Sequence, residues 1–259
     1  MYPEERQQAI ATQVLSQGRA SVTELAQTYD VTTETVRRDL AVLDRAGVLR
    51  RVHGGAVPMR ALHLVESSVD ERQSTRSDHK QSIARAAAEF FPQSGATVLF
   101  DAGTTTARLA ALLPADRDLL AVTNSVPIAA RLANLAPVSL QLLGGRVRGL
   151  TQATVGEQAV TTLASLRVDT AFIGTNGISI RHGLSTPDPD EAAVKRAMVG
   201  CANLVVVVAD SSKIGREEFV SFAPIDRVDV LVTDSEISTA DHRALTDAGV
   251  EVVVAQEHP

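Results

Sequence analysis

Residues 101–110 read DAGTTTARLA and follow directly on the apolar run ATVLF. An acid, a glycine and three hydroxyls between a strand-like and a helix-like stretch have the makings of a phosphate cradle. Glycine permits close backbone approach, and the free N–H groups at a helix start favour negative charge. Four further apolar runs end in the same kind of residue. Asn124 and Ser125 close LLAVT, Gly144 and Gly145 close VSLQLL, and Asn176 and Gly177 close DTAFIGT. Asp210, Ser212 and Lys213 follow LVVVVA. DAGTTT lacks the second glycine and the lysine of a Walker loop, so no nucleotide triphosphatase is implied.

A second constellation lies in HGLSTPDPDEAAVKRAM, residues 182–198, where Glu191 and Lys195 stand four apart on a predicted helix. Alone, the pair reads as a surface i,i+4 ion pair worth about 0.3 kcal/mol. The glycine, threonine and prolines before it suggest a shaped loop that delivers this helix start to the strand ends. There, with Lys213, it would offer two ammonium groups and a carboxylate to a phosphorylated polyol. Each small or polar residue also has a plainer use, because Thr, Ser and Asn are ordinary N-caps and Gly-Gly an ordinary turn. Their repetition after successive runs favours one composite pocket.

The elements that must position these residues follow from the pattern of runs. TVLFD, LLAVTN, VSLQLLGG, DTAFIGTNG, LVVVVAD, VDVLVTD and VEVVVA alternate with helical stretches. That alternation predicts an α/β domain around a mainly parallel sheet. LVVVVA is apolar at every position, as a strand covered on both faces would be. In such sheets ligands bind outside the carboxyl ends of the strands.

The first sixty residues have a different character. EERQQAIATQVLSQG sets Ile10 and Val14 on one face with Leu15 beside them, and Gly18 is a plausible stop. SVTELAQTY opens with Ser21 and Glu24 in capping-box spacing and turns Val22, Leu25 and Ala26 inward. VTTETVRRDLAVLDRAG has Thr32 as N-cap, Val36, Leu40 and Leu43 as its apolar stripe, and Gly47 at its end. VLRRV, the turn HGG and AVP read as a hairpin. Three helices and a hairpin give the layout of a winged helix-turn-helix. Thr32, Thr33 and Thr35 make a short, hydroxyl-rich leading turn suited to a major groove. Arg37 and Arg38 lie off the apolar stripe and would reach phosphate or guanine, while Arg50 and Arg51 on the wing would grip the backbone. The competing reading is a small helical domain with solvating arginines. His53 has no companion ligands and reads as a turn residue, not a metal site.

Bulk properties set the bounds. The chain has 259 residues, 44% hydrophobic and 22% charged, and carries a net charge of −6. Residues 1–60 hold eight Lys/Arg against seven Asp/Glu, so the acid excess belongs to the rest. Arg37, Arg38, Arg45, Arg50 and Arg51 form a local basic stripe, which matters more for DNA than the overall pI. Leu204–Ala209 is the longest apolar stretch, far short of a bilayer span, and MYPEERQQ has no apolar core of a secretory signal. Cys201 is the single cysteine, which excludes an internal disulfide and a cysteine-based zinc cluster. A cytoplasmic location, no cofactor and no metal are the expectations. The expected organisation is a DNA-binding domain over 1–57, a serine- and charge-rich linker over 58–77, and a ligand-binding domain over 78–259, with helix resuming near Asp78.

These motifs resemble a known family. SVTELAQTYDVTTETVRRDLAVLDRAGVLRRVHGGAV is similar to the N-terminal signature of the DeoR family of bacterial transcriptional repressors. DAGTTT, VTNS, GG, FIGTNGIS, GLSTPD, EAAVKRAM and ADSSK resemble the sensor motifs of the same family, so the likeness spans nearly the whole chain. It implies a winged-helix reader of double-stranded operator DNA joined to a sugar-phosphate sensor similar in fold to ribose-5-phosphate isomerase. Carried over residue by residue, the effector site comprises Asp101, Gly103, Thr104, Thr105, Asn124, Gly144, Asn176, Glu191, Lys195, Asp210 and Lys213. RVHGGAVPMRAL and LSTPDPDEAAVKRAMV resemble the branch controlling fructose uptake, which implies fructose 1-phosphate as effector.

The rival expectation is a sugar-phosphate isomerase or deaminase fused to a DNA module, with Glu191 or Asp210 as general base. The isomerase relatives carry an acid-rich loop where this chain has GTNGIS. Asn176 and Gly177 replace the acids, which keeps hydrogen bonding and removes catalytic groups. Binding without turnover is therefore expected. One winged helix covers a short site, so a homo-oligomer on repeated half-sites is expected too.

Overall fold

Helix α1, Pro3–Gln17, opens the chain and buries Ile10 and Val14 completely. The computed structural model describes residues 3–17, 20–45, 48–52, 55–58, 69–114 and 116–256. Gly18, Gly47, His53, Gly54 and the linker residues 59–68 lie outside them, as do the side chains of Leu15, Arg45, Arg50 and Arg51. The chain divides into two units, residues 1–66 and 67–259.

In the first unit, strand β1 (Ala20–Ser21) leads into helix α2 (Val22–Thr28). The predicted capping box is present, with the Ser21 hydroxyl accepting from Glu24 N–H and the Glu24 carboxylate accepting from Ser21 N–H. Helix α3, Thr33–Arg45, is capped by the Thr32 hydroxyl, which accepts from Thr35 N–H at 3.2 Å. Val36, Leu40 and Leu43 are buried against α1 and α2, as their spacing predicts. Strands β2 (Leu49–Val52) and β3 (Gly55–Pro58) form the antiparallel hairpin. The structure adds β1 to it, giving the sheet order β1-β3-β2. Gly55 is needed there, because a Cβ would fall 2.3 Å from the carbonyl oxygen of Ala20.

The second unit begins with helices α4 (Val69–Ser74) and α5 (Ser77–Ala87). Helix thus starts nine residues before the expected Asp78, because a six-residue helix makes under two turns and shows no readable period. Next come β4 (Thr97–Phe100), α6 (Thr104–Ala110), β5 (Leu119–Thr123), α7 (Val126–Leu132) and β6 (Val138–Leu142). A hairpin of β7 (Arg146–Arg148) and β8 (Ala153–Val155) precedes α8 (Glu157–Ala164) and β9 (Val168–Ile173). Strands β10 (Gly177–Ser179) and β11 (Gly183–Thr186) lead into α9 (Pro189–Cys201) and β12 (Ala202–Val208). After β13 (Val220–Ala223) come β14 (Val230–Thr233), α10 (Thr239–Asp247) and β15 (Glu251–Val254).

All seven runs read from the sequence become strands of one sheet, in the order β15-β14-β12-β9-β4-β5-β6. Every pairing in it is parallel. Val205–Val208 of β12 are buried, as an all-apolar strand requires. Hydrophobic layers cover both faces: Ile83, Phe91, Phe100, Leu109 and Phe172 on one, Leu99, Leu163, Ile173, Val194 and Met198 on the other. The antiparallel sheet β10-β11-β13 and the β7–β8 hairpin have no counterpart in the sequence reading. Strands of three or four residues are too short for an alternation to show.

The order of the parallel strands fixes where ligands can enter. From β4 the chain steps outward to β5 and β6, then returns to the other side of β4 with β9, β12, β14 and β15. The reversal falls between β4 and β9. In open α/β sheets the crevice at such a reversal, outside the carboxyl ends, is the favoured ligand site.

Candidate functional site

Asp101 is the first residue after β4 and sits at that reversal, almost wholly buried. Its Oδ2 accepts from the Gly174 amide, just beyond β9, at 2.9 Å, and from Lys195 Nζ of α9. Lys195 also donates to Gly174 O at 2.9 Å and lies 5.6 Å from the centre of the Phe222 ring. Complete burial raises the Asp101 carboxyl above its ordinary range, against the pull of Lys195 and the Gly174 amide, and nearby Glu191 adds to the rise. Oδ1 of Asp101 is buried and has no hydrogen-bond partner. An acceptor left unpaired in a dry site is costly, and such a site invites a donor.

The neighbouring strand ends are tied to this point. Asn124, after β5, accepts from Ala102 N–H at 2.9 Å and donates to Thr154 O at 3.3 Å. It therefore fixes the backbone that leaves Asp101. Gly103 caps α6, and the Thr106 hydroxyl returns to its carbonyl at 2.9 Å. Thr104 and Thr105 are buried in the first turn, where their N–H groups have no intrahelical acceptor.

Glu191 and Lys195 do not form the i,i+4 surface pair of the plain reading. Both are buried, and they turn to different partners. Glu191 accepts from Arg148 at 3.0 Å and from the Thr151 hydroxyl, which ties α9 to the β7–β8 hairpin. Lys195 goes to Asp101. The cause is tertiary, since α9 lies with this face against the sheet and not in water.

On the other side of β9, Asp210 follows β12 and is buried. It accepts from the Ser212 hydroxyl and lies 3.4 Å from Arg76 Nε. Lys213 is half-buried, and burial holds its ammonium below the ordinary lysine range despite the nearby Asp210. No described residue pairs with its Nζ. Two candidates serve local packing. Asn176 accepts from the Thr186 hydroxyl at 3.2 Å, and Gly144 lies where a Cβ would meet Gln158 Nε2 at 2.5 Å. Arg148, Thr151 and Arg76 border these groups and were not read from the sequence, because their partners are distant in sequence; Arg72 and Lys80 lie in a charge-rich stretch that reads as solvated surface.

In the first unit, Thr33, Arg37 and Arg38 are exposed on α3. Among the described residues, Arg37 and Arg38 make solvated contacts to Glu34, at 3.7 and 3.6 Å. Thr32 and Thr35 share a hydroxyl–hydroxyl hydrogen bond of 2.9 Å that closes the leading turn. Arg50 and Arg51 are on β2, opposite Val57 and Ala56. Arg6 is buried and is no part of a basic face. Its Nε donates to Asp39 at 2.6 Å, and Gln7 donates to the same carboxylate at 2.9 Å, so α1 is pinned to α3.

A helix with exposed arginines on a winged three-helix unit, with a parallel α/β unit carrying charged strand ends, defines a ligand-responsive DNA-binding regulator. Residues 6–60 match the DeoR-like helix-turn-helix domain, and residues 75–235 match the DeoR C terminal sensor domain. The chain belongs to the DeoR family of transcriptional regulators. It is 38% identical to the HTH-type transcriptional regulator GlpR of Haloferax volcanii, over 98% of both chains. It is 35% identical to the uncharacterized HTH-type transcriptional regulator FruR of Bacillus subtilis, over 93% of this chain and 95% of that one. Among solved structures, ribose 5-phosphate isomerase A of Methanocaldococcus jannaschii aligns with 54% of this chain and 55% of its own, at 18% identity and a TM-score of 0.39. That distance bears on neither activity nor ligand. No helix among the described residues is long and apolar enough to cross a membrane.

Proposed function

We propose that this regulator is a repressor that leaves its operator when a phosphorylated sugar occupies the strand ends of the second unit. One observation carries the ligand reading. A buried carboxylate oxygen without a donor, Asp101 Oδ1, shares a sheet edge with Lys213, whose ammonium feels Asp210 and Glu218 but has no direct ion pair among the described residues. Strands β4 and β12 are two strand spacings apart, about 10 Å. A polyol at one end and a phosphate at the other match that span. Sugar hydroxyls donate to Asp101, while Lys213 and the first N–H groups of α6, behind Gly103, Thr104 and Thr105, hold the anion. Asn124, Glu191, Lys195 and Asp210 shape this edge, and Gly144 and Asn176 support it from behind.

Fructose 1-phosphate is the leading effector, supported by the resemblance of RVHGGAVPMRAL and LSTPDPDEAAVKRAMV to the fructose branch. Release follows if the effector binds more tightly to an arrangement with low operator affinity. The operator-bound form is a homo-oligomer of this chain on repeated half-sites. The test is a thermal-shift panel of fructose 1-phosphate, glucose 6-phosphate and glycerol 3-phosphate, followed by operator release with the hit. Stabilisation and release by one of them is expected. Turnover of any would overturn the sensor reading, and no shift with any would overturn the ligand class.

On the DNA side, Thr32, Thr33 and Thr35 present the leading turn, Arg37 and Arg38 reach the duplex, and Arg50 and Arg51 hold its backbone. Arg38→Ala is expected to weaken operator binding by roughly tenfold, since a side-chain contact to a base or phosphate contributes about 1–3 kcal/mol. Ligand-induced thermal shift is expected to survive. Unchanged operator affinity in a fluorescence-anisotropy titration would remove Arg38 from the interface.

A further inference from the structure

The parallel sheet of the second unit ends at β6 on one side and at β15 on the other. β6, Val138–Leu142, reads VSLQL, with no charge, no proline and no break in its register with β5. Natural sheets blunt an open edge with a charge, a proline or a bulge, because unpaired N–H and C=O groups there recruit another strand. β15 follows that rule through the exposed Glu251. β6 does not.

The stretch around β6 is depleted of charge as well. Residues 119–156, from β5 through β8, contain no Asp or Glu and three arginines, in a chain that is 22% charged. Arg146 is paired with Asp190 at 2.7 Å, and Arg148 with Asp188 and Glu191 at 3.1 and 3.0 Å. That leaves Arg131 of α7, which donates to Ala111 O at 3.4 Å. The same stretch supplies Leu120, Val126, Leu142, Val147 and Leu150, five of the eight large apolar side chains exposed among the described residues of the second unit. A surface poor in charge and rich in exposed apolar groups has the composition of an interface core.

Backbone direction selects the partner. Leu143 N–H donates to Thr123 O at 2.8 Å, and Leu119 N–H donates to Pro137 O at 3.4 Å, so the odd-numbered residues here face β5. Successive residues alternate sides, which turns the N–H and C=O groups of Leu140 and Leu142 toward the open edge. Val138 N–H, on that same side, already donates to Leu135 O at 3.0 Å. Within the strand, each of the two free residues finds a free mate when an antiparallel β6 is centred on Gln141. Leu140 then lies opposite Leu142 of the other strand, and Leu142 opposite its Leu140. That register is identical from either side, so the strand that fits it is a second copy of β6. We infer that two copies of this chain pair through β6 about a two-fold axis at Gln141, joining their sheets into one. Such a contact uses one patch twice and closes on itself. The interface deepens the homo-oligomer reading above and rests on it. Half-buried Gln141 then faces its own copy, with backbones about 4.5 Å apart.

The test is the solution mass of the full chain by light scattering over a range of concentrations. Wild type, Gln141→Lys, Gln141→Glu and an equimolar mixture of the two variants are compared. Wild type is expected to be a dimer or a multiple of one. Each variant sets like charges face to face and is expected to halve that mass, with an unchanged circular dichroism spectrum. The mixture is expected to regain the wild-type mass, because lysine then faces glutamate across the axis. Leu142→Pro removes an N–H that the subunit itself does not use, so it is expected to halve the mass too. Val254→Lys, on the opposite edge, is expected to leave the mass unchanged. An oligomeric wild type whose mass survives both Gln141 variants would overturn the β6 interface and leave the homo-oligomer standing. Halving in both without recovery in the mixture would overturn the two-fold at Gln141. Halving by Val254→Lys in place of the Gln141 variants would overturn β6 in favour of β15. A wild type that is monomeric at every concentration would overturn the interface and the homo-oligomer together, leaving the ligand reading untouched.

Discussion

Lys195→Met is expected to destabilise the second unit by about 3–5 kcal/mol, the cost of leaving one partner of a buried ion pair alone. Domains of this kind have about 5–15 kcal/mol in all, so the loss is large. Lys195 supplies the opposite charge to an almost wholly buried Asp101, and its aliphatic stem packs where methionine can follow. The packing survives while the charge balance does not. Asp101 has an escape, which is to take up a proton. Its carboxyl already lies above the ordinary range, and losing the ammonium would raise it further. An acid whose folded pKa exceeds its unfolded value binds more protons folded, so stability falls as pH rises through that range. The variant's deficit is therefore expected to shrink as pH is lowered toward the Asp101 pKa. Denaturant midpoints across pH would show it. A second change, Asp101→Asn, is expected to recover most of the loss at neutral pH, because an amide needs no counter-ion. A deficit below about 1 kcal/mol at neutral pH would mean that the pair contributes little.

Lys213→Ala is expected to do the reverse. Its ammonium has no described hydrogen-bond acceptor to lose, and the repulsion relieved beside Lys80 offsets the lost attraction to Asp210 and Glu218. The melting temperature should hold. Ligand response should fail, because a charge-assisted hydrogen bond contributes about 1.5–3 kcal/mol and its loss costs roughly 10- to 100-fold in affinity. Operator binding without effector should be unchanged. Normal release of operator by fructose 1-phosphate from this variant would count directly against Lys213 as the phosphate holder. Together the two variants would separate a structural ammonium from a ligand-binding one at the same sheet edge.

Local pattern made most of the fold legible. The capping box at Ser21 and Glu24 and the N-cap at Thr32 act within one helical turn, and both are present. The stripe of Val36, Leu40 and Leu43 and the all-apolar β12 report burial through periodicity alone, and both are buried. The short helix α4 and the three-stranded antiparallel sheet were not legible, because elements of a few residues carry too little period to register. The site divides in the same way. Asp101, Asn124 and Asp210 were read as candidates because polar residues after β-branched runs mark strand ends, and Lys195 because it stands four residues after Glu191 on a predicted helix. Arg72, Arg76, Lys80 and Arg148 were missed because arginines and lysines in charge-rich stretches look like solvated surface.

By itself, the sequence determined the two-unit plan, the seven parallel strands and the small and charged residues that stand at their ends. Those features depend on contacts within a turn or on alternation along a strand, so each segment carries its own record. Partner choice was left to the tertiary structure. Glu191 and Lys195, four apart on one helix, become partners of Arg148 and Asp101 instead of each other. Arg6 pins α1 to α3 through Asp39, and Arg76 crosses to Asp210 and Asp234. A charged side chain in a dry interior takes whichever counter-charge the packing brings near. Segments more than thirty residues apart supply these counter-charges, so only the folded chain decides them.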